Sequence, residues 1–137
     1  MTPRVVKRGD LIYPELSYEI IGCAFDVHNE LGSGLRESDY QKAMAISLTK
    51  KGIPFQEQVY VPVRFHGTVI RKGFADFVVD RKIVVEIKKG NHFARGHIDQ
   101  LLRHIKAADL KLGLIVNFGL DGVRHKRIVN LLGQNHS

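Results

Sequence analysis

The stretch FADFVVDRKIVVEIKK, residues 74–89, predicts a β-hairpin. Two runs rich in Val and Ile flank a polar three-residue segment, which is the composition of two strands and the turn between them. The register is set if Val79 faces Ile83 across that turn. Asp76 then lies opposite Glu86 on the same face, where cross-strand Cβ atoms are roughly 4.5–5.5 Å apart. Two carboxylates at that distance repel each other unless a cation or a proton lies between them.

A lysine joins this acidic pair, because Lys88 lies two residues beyond Glu86 and points to the same face. One or two carboxylates commonly bind Mg²⁺, with water and phosphate oxygens completing its coordination. A neighbouring lysine can orient or deprotonate an attacking water, or neutralise charge on a phosphate. The alternative is an edge strand whose polar residues are simply solvated. Val78 and Val84 lie on the same face as the acids, so this face is not uniformly polar, which favours a functional patch.

The composition is that of an ordinary globular protein, with 137 residues, 44% hydrophobic and 26% charged. We expect one domain over residues 1–137, with a loosely ordered start at residues 1–13. The sequence has no membrane-length apolar run and no signal-peptide centre, so we expect a cytoplasmic protein without a membrane partner. A single cysteine, Cys23, excludes an internal disulfide and fits a reducing compartment. Its place in a helical apolar pattern predicts a core position.

The net charge of +7 is unevenly distributed along the chain. Residues 1–68 carry eight Lys/Arg and eight Asp/Glu, whereas residues 69–137 carry thirteen Lys/Arg and six Asp/Glu. The whole basic excess therefore lies in the half that contains the hairpin. A basic surface around a carboxylate patch suits a polyanion, and nucleic acid is the commonest such partner. Generic solubility is the alternative explanation.

Hydrophobic periodicity and turn residues predict the remaining elements. In chain order these are helices over 14–31 and 35–51, a strand over 55–65, a strand starting at 68, the hairpin, a helix over 93–108, a buried strand over 111–118 and a tail over 123–132 that is an edge strand or a short helix. This order predicts an α/β fold with a mixed sheet flanked by helices.

The second predicted helix carries an acid on its packing stripe. Glu37 precedes Tyr40, Met44 and Leu48 by three, seven and eleven residues, which places all four on one face. A carboxylate in the first helical turn is favoured by the helix dipole and the unpaired N–H groups. The other explanation is that the acid faces inward toward a bound cation. The spacing alone supports both explanations equally.

Asp76, followed ten residues later by Glu86-Ile87-Lys88, resembles the signature of the PD-(D/E)XK nuclease superfamily. More narrowly, the chain is similar to the small prokaryotic family of GxxExxxR proteins. That likeness is carried by GSGLRESDYQKA, ADFVVDRKIVVEIK, HIDQLL and GLIVNFG and covers roughly residues 16–130. It implies a restriction-endonuclease-like αβββαβ core, here with an extra N-terminal helix.

The resemblance also implies roles for individual residues. It assigns catalytic roles to Asp76, Glu86, Lys88, Glu37 and Gln100. It implies that Mg²⁺ or Mn²⁺ is held by Asp76, Glu86, Glu37 and the carbonyl of Ile87. A homodimer is expected by analogy with other nucleases of this kind.

Two positions depart from the family pattern. The arginine of the family name falls at Gln41, and glutamine cannot replace a fixed positive charge at a phosphate or carboxylate. Either that charge lies elsewhere in this chain or the activity has changed. The family's QxxxY pattern becomes Gln100 and His104, a milder change because histidine still donates a hydrogen bond.

Three functions fit these features. The first is a Mg²⁺- or Mn²⁺-dependent nuclease acting on nucleic acid, with DNA as the expected substrate. Its expected nucleic-acid contacts are Lys72, Lys89, Arg95, His97 and His104. Aromatic residues are few and Trp is absent, so the sequence makes no strong case for base stacking. The second function is a non-catalytic module that keeps the fold and binds nucleic acid or protein, and the third is a metal enzyme acting on a small phosphorylated molecule.

Overall fold

The structure, a computed structural model, describes residues 12–132, so residues 1–11 and 133–137 lie outside the described part. The expectation of a loosely ordered segment 1–13 therefore falls mostly on residues that are not described. Ile12 and Tyr13 are described and pack against the core. None of the helices within residues 12–132 is long and apolar enough to cross a membrane.

Three helices and seven strands make up the described chain. In order they are α1 Pro14–Leu31, α2 Glu37–Lys50, β1 Phe55–Tyr60, β2 Val63–Phe65, β3 Thr68–Arg71, β4 Phe74–Val79, β5 Ile83–Lys89, α3 Arg95–Ala108, β6 Leu112–Phe118 and β7 Val123–Val129. The first helix has the predicted bounds, because Pro14 suits a first helical turn and Gly32, at φ 73°, ends it.

Five strands form one mixed sheet in the order β1-β4-β5-β6-β7. The pair β5–β6 is parallel, and the other three pairs are antiparallel. In chain order α2, β1, β4, β5, α3 and β6 form the predicted αβββαβ core, and α1 is the extra N-terminal helix. The tail forms the edge strand β7, one of its two predicted structures, and β6 is buried along its whole length. The prediction of a mixed α/β fold is confirmed.

Helices cover both faces of this sheet. On one face α1 and α2 bury a core that contains Cys23 and the predicted stripe of Tyr40, Met44 and Leu48. On the other face α3 packs through Leu101 and Ile105 against a second, smaller core. The sheet is thus sandwiched between two helical layers.

The expectation of one continuous strand over residues 55–65 is wrong. The segment divides at Val61 and Pro62 into β1, which pairs with β4, and β2, which pairs with β3 in a separate hairpin. Pro62 has no backbone N–H to donate to a sheet, so it favours an interruption. The segment 68–71 likewise forms its own strand, β3, and Gly73 separates it from β4. The β2–β3 hairpin is therefore an insertion between two strands of the main sheet.

The predicted register of the central hairpin is confirmed. Val79 pairs with Ile83, and the ladder continues through two further pairs. Asp80 and Arg81 have φ values of 51° and 56°, and the Lys82 N–H donates to the Val79 carbonyl at 2.9 Å. The polar turn thus adopts a backbone conformation that directs β5 straight back along β4.

Candidate functional site

The strands β4 and β5 separate at the level of Asp76 and Glu86. Their ladder ends at the pair Phe77–Val85, so the next residues of the two strands are not paired with each other. On the other side of β4, the ladder with β1 omits the position of Asp76 and Gln58, and Gln58 has a φ of 48°. A local gap in backbone pairing therefore surrounds Asp76 on both sides.

The side of the sheet to which alternate β4 residues point changes at this gap. Ala75 packs in the core beneath α3, whereas Phe77 packs in the core beneath α1 and α2. In a regular strand residues two apart lie on one face, so the alternation is broken at Asp76. Irregularities of this kind re-aim side chains. Here Asp76 reaches sideways, and its Oδ2 accepts a hydrogen bond of 2.8 Å from the Ile87 N–H of β5.

The predicted approach of the two acids is present in the structure. Oε2 of Glu86 accepts a hydrogen bond of 3.4 Å from the backbone N–H of Asp76. Each carboxylate thus bonds to the other strand, and the two acids span the gap between β4 and β5. The expected placement of both on one face with Val78 and Val84 applies to Glu86, whereas Asp76 departs from it through the broken alternation.

This environment raises the pKa of the Asp76 carboxyl from 3.8 to about 6. Burial is the largest cause, since it disfavours the charged form, and repulsion from Glu86 is the second. The Ile87 N–H bond and the charge of Lys88 act in the opposite direction, and Glu37 adds a weaker repulsion. A carboxyl group held in this way is poised to exchange its proton for a cation.

Glu86 is held from the opposite side by a histidine. Its side chain is only 3% exposed, and its Oε2 lies 3.1 Å from Nδ1 of His104, which is 5% exposed. When Glu86 is a carboxylate it only accepts hydrogen bonds, and Nδ1 of His104 is then the donor. We expected His104 to contact nucleic acid, but its burial excludes direct surface contact. In the structure it is a partner of Glu86.

Lys88 and Gln100, which the family resemblance named separately, are hydrogen-bonded to each other in the structure. Nζ of Lys88 donates to Oε1 of Gln100 on α3 at 3.2 Å. The ammonium group has two further hydrogens available for a phosphate or a water. The glutamine therefore orients the lysine beside the acids without neutralising its charge.

Glu37 reaches the same end of the sheet from α2. It is the first residue of that helix, and its Oε2 accepts a hydrogen bond of 3.4 Å from the Lys89 N–H at the end of β5. Its charge is the weakest of the causes that raise the pKa of Asp76. Both explanations of its position therefore still apply. Glu37 lies at a helix N-terminus, where the helix dipole favours a carboxylate, and it also lies near the other acids, where it could help to bind a cation.

The donor chemistry here fits a hard divalent cation. Asp76 and Glu86 supply carboxylate oxygens, and Ile87 supplies a backbone carbonyl. The N–H and C=O of one strand residue point to the same side, so the Ile87 carbonyl points toward β4, as its N–H does. Within residues 12–132 no three Asp, Glu, His or Cys side chains are grouped around one metal position. The set therefore fits Mg²⁺ or Mn²⁺ that takes its other ligands from water and substrate.

The other predicted nucleic-acid contacts surround the acids less closely. Lys72 lies in the exposed segment before β4, Lys89 ends β5 and Arg95 begins α3, and all three side chains are exposed. His97 is half-buried in the first turn of α3. These four residues are available to a ligand. Within residues 12–132 the hydrogen bond from the Lys89 N–H to Glu37 is the one hydrogen bond or ion pair found between them and the acids.

The sequence patterns missed one buried polar residue beside the lysine. Asn117 is 1% exposed and is the parallel-strand partner of Lys88. Its Nδ2 donates to the His92 carbonyl at 2.8 Å, which fixes the amide orientation and leaves Oδ1 buried without a partner among the described residues. The sequence feature that could have identified this residue is a single amide side chain within the otherwise apolar strand LGLIVNF.

Comparisons with known proteins concern the family and the fold of this chain. The sequence profile of the PD-(D/E)XK nuclease superfamily matches residues 14–129. The crystal structure of SSO0001 has a similar fold, with a TM-score of 0.54 and 20% sequence identity, over 90% of this chain and 61% of the SSO0001 chain. This chain thus spans less than two thirds of that protein, and at this identity the likeness concerns the fold alone. No curated protein matches the sequence significantly. Because the profile spans most of the chain, the chain belongs to the PD-(D/E)XK nuclease superfamily.

Proposed function

We propose that this protein is a Mg²⁺- or Mn²⁺-dependent nuclease that hydrolyses phosphodiester bonds, with DNA as its expected substrate. The observation that carries the proposal is the gap between β4 and β5, where each of Asp76 and Glu86 accepts a backbone hydrogen bond from the opposite strand. Lys88 follows on β5, two residues beyond Glu86. Superfamily membership supports it, since nucleases of this superfamily generally use divalent metals.

In this proposal the metal ligands are Asp76, Glu86 and the Ile87 carbonyl, with Glu37 adding a carboxylate through a bridging water. A bound divalent ion supplies Lewis-acid polarisation of the phosphate and acidification of water. Lys88 donates hydrogen bonds to the attacking water or to the phosphate oxygens, and Gln100 keeps its ammonium group in place.

His104 completes the arrangement as a positioning residue. Its hydrogen bond holds one oxygen of Glu86, so the other oxygen is free to face the ion. Partners of this kind orient metal ligands and tune their affinity. The burial of both side chains keeps competing water away from the bond and makes the orientation rigid.

The narrower placement among GxxExxxR proteins is also part of the proposal, and Gln41 bears on it. In the structure Oε1 of Gln41 accepts a hydrogen bond of 3.3 Å from Gln58, the residue that lies across from Asp76 at the gap. The position therefore points toward the site, but it carries no charge. This observation favours the second candidate function, a module that binds nucleic acid without cleaving it.

Cleavage of labelled single-stranded and duplex DNA and RNA, with Mg²⁺ or Mn²⁺ and with EDTA, separates the two candidates. We expect metal-dependent cleavage by the wild-type protein and its loss in Glu86→Gln, with no change in Asp39→Asn as a surface control. Salt-sensitive binding without cleavage of any substrate, unchanged by Glu86→Gln, would instead establish the binding module.

A further inference from the structure

The inserted β2–β3 hairpin joins the main sheet through two short segments beside the acids, residues 61–62 and 72–73. We call these two segments the hairpin neck. The Val61 N–H donates to the Gly73 carbonyl at 2.8 Å. A Cβ atom at Gly73 would lie 2.6 Å from the Val61 carbonyl oxygen and 3.2 Å from Nε2 of His104, the partner of Glu86. Glycine is therefore required here, and the neck is packed directly against the side chain that holds a carboxylate of the site.

Two aromatic side chains flank this neck on the side of the main sheet. Tyr60 ends β1 and Phe74 begins β4, and the two residues are a cross-strand pair. Their ring centroids are 5.4 Å apart with planes tilted by 50°, and the residues are 46% and 49% exposed. Phe74 precedes Asp76 by two residues, a distance of about 7 Å along a strand. Solvent-facing aromatic surface thus lies within about the length of one nucleotide from Asp76.

A cationic cavity flanks the neck on the side of the hairpin. It has a volume of about 440 Å³ and is lined by Pro62, Val63, Arg64, Arg103, Lys106 and Ala107. Three of these side chains are positive and none is negative. Among residues 12–132 the ion pairs found do not involve any of the three cations. Their charges therefore face the cavity and solvent.

The cavity continues the site along α3. Arg103 follows Gln100, the partner of Lys88, by three residues, which is a rise of about 4.5 Å along a helix. Lys106 lies a further three residues along. The two cations therefore continue along α3 from the glutamine that holds the lysine of the site.

We propose that the hairpin neck binds a single-stranded nucleic-acid segment, with a base stacked on Tyr60 and Phe74 and a backbone phosphate in the cavity of Arg64, Arg103 and Lys106. This inference rests on the proposed function, because it concerns the substrate of that site. Single-strand binders combine a positive groove with aromatic stacking surfaces. In a duplex each base face is covered by its neighbours, so only an unpaired base can use the aromatic pair.

The test is fluorescence anisotropy with a labelled oligothymidylate of about ten nucleotides, a length within the usual site sizes. A duplex of the same length is the comparison, and EDTA prevents cleavage. We expect the single strand to bind more tightly. Phe74→Ala should weaken its binding roughly 5- to 150-fold and leave duplex binding unchanged. Tyr18→Ala removes an exposed aromatic ring on α1 and is the matched control.

The cationic cavity is tested by the salt dependence of the same binding. Arg103→Gln should reduce the slope of log affinity against log salt concentration by about 0.7, the value for one phosphate contact on a single strand. Lys42→Gln removes an exposed cation on α2 and should leave the slope unchanged. Both side chains are exposed, so the two variants are expected to fold normally, which thermal unfolding verifies.

The inference is overturned if the duplex binds as tightly as the single strand, or if Phe74→Ala and Arg103→Gln behave as their controls do. These outcomes are independent of catalysis. Cleavage of nucleic acid with no effect of either variant would leave the nuclease proposal standing and remove the neck as its binding surface. Selective single-strand binding that depends on both residues, without cleavage under any metal, would support the neck and remove the nuclease proposal.

Discussion

Replacing Asp76 by asparagine should stabilise the metal-free protein at neutral and alkaline pH while removing its function. In the folded chain the pKa of Asp76 is raised from 3.8 to about 6 by burial and by Glu86. A raised pKa means that ionising Asp76 costs more free energy in the folded chain than in the unfolded chain. The contribution of Asp76 to stability is therefore complete below pH 3.8 and is lost as the pH rises through about 6.

The magnitude follows from the size of the shift. About two pKa units correspond to about 3 kcal/mol, since one unit is 1.36 kcal/mol. Asp76 keeps some solvent contact, which screens the effect, so about 1–2 kcal/mol is the expected cost of its ionisation at pH 8. Asparagine stays neutral, and its Oδ1 still accepts the bond from the Ile87 N–H. The variant should recover that free energy at pH 8 and little of it below pH 4.

Urea unfolding in EDTA at pH 4 and pH 8 gives the free energies of unfolding that the comparison requires. Asp39→Asn is a control of opposite sign, because the Arg36 backbone N–H and charge lower the pKa of Asp39. That variant should lose stability at pH 8. Adding Mg²⁺ should stabilise the wild type and not Asp76→Asn. Equal stability of wild type and Asp76→Asn at pH 8, or the same difference at both pH values, would show that ionisation of Asp76 does not destabilise the fold.

Three further variants test other contacts of the site. Lys88→Gln should reduce cleavage at least about 100-fold in a rate assay while keeping Mn²⁺ affinity by calorimetry, because its cation acts on substrate and water. His104→Phe should lower the free energy of unfolding in urea by about 1–3 kcal/mol, since it removes the side-chain hydrogen-bond partner of the buried Glu86, whereas His97→Phe should change it little. Gln41→Arg should strengthen nucleic-acid binding and steepen its salt dependence in anisotropy titrations, because it adds a cation beside the gap. Unchanged values in any of these measurements would contradict the corresponding contact.

The central hairpin was predictable because its information is local. Two β-branched runs and a polar turn determine the pairing of Val79 with Ile83, and the same register brings Asp76 near Glu86. The first helix was equally clear, since a proline and a glycine mark its ends. In these segments strand or helix periodicity and turn chemistry all favour one structure.

The parts that could not be predicted depend on contacts distant in sequence. Residues 55–65 alternate like one strand, and only pairing with two different partners divides them at Pro62. The burial of His104 follows from the close approach of the neck, which Gly73 permits. The pairing of Tyr60 with Phe74 spans the inserted hairpin, so no local pattern indicates it. The broken alternation at Asp76 is likewise visible only in the fold.

Calorimetric titration of Mn²⁺ determines whether the gap between β4 and β5 holds a carboxylate metal site. The titration uses wild type, Glu86→Gln and the control Asp39→Asn, each alone and with an oligonucleotide whose linkages resist hydrolysis and can complete the coordination. We expect wild type and the control to bind the ion, most tightly with the oligonucleotide, and Glu86→Gln to lose this binding in both settings. Equal Mn²⁺ binding by wild type and Glu86→Gln, or none by wild type even with the oligonucleotide, would contradict the site.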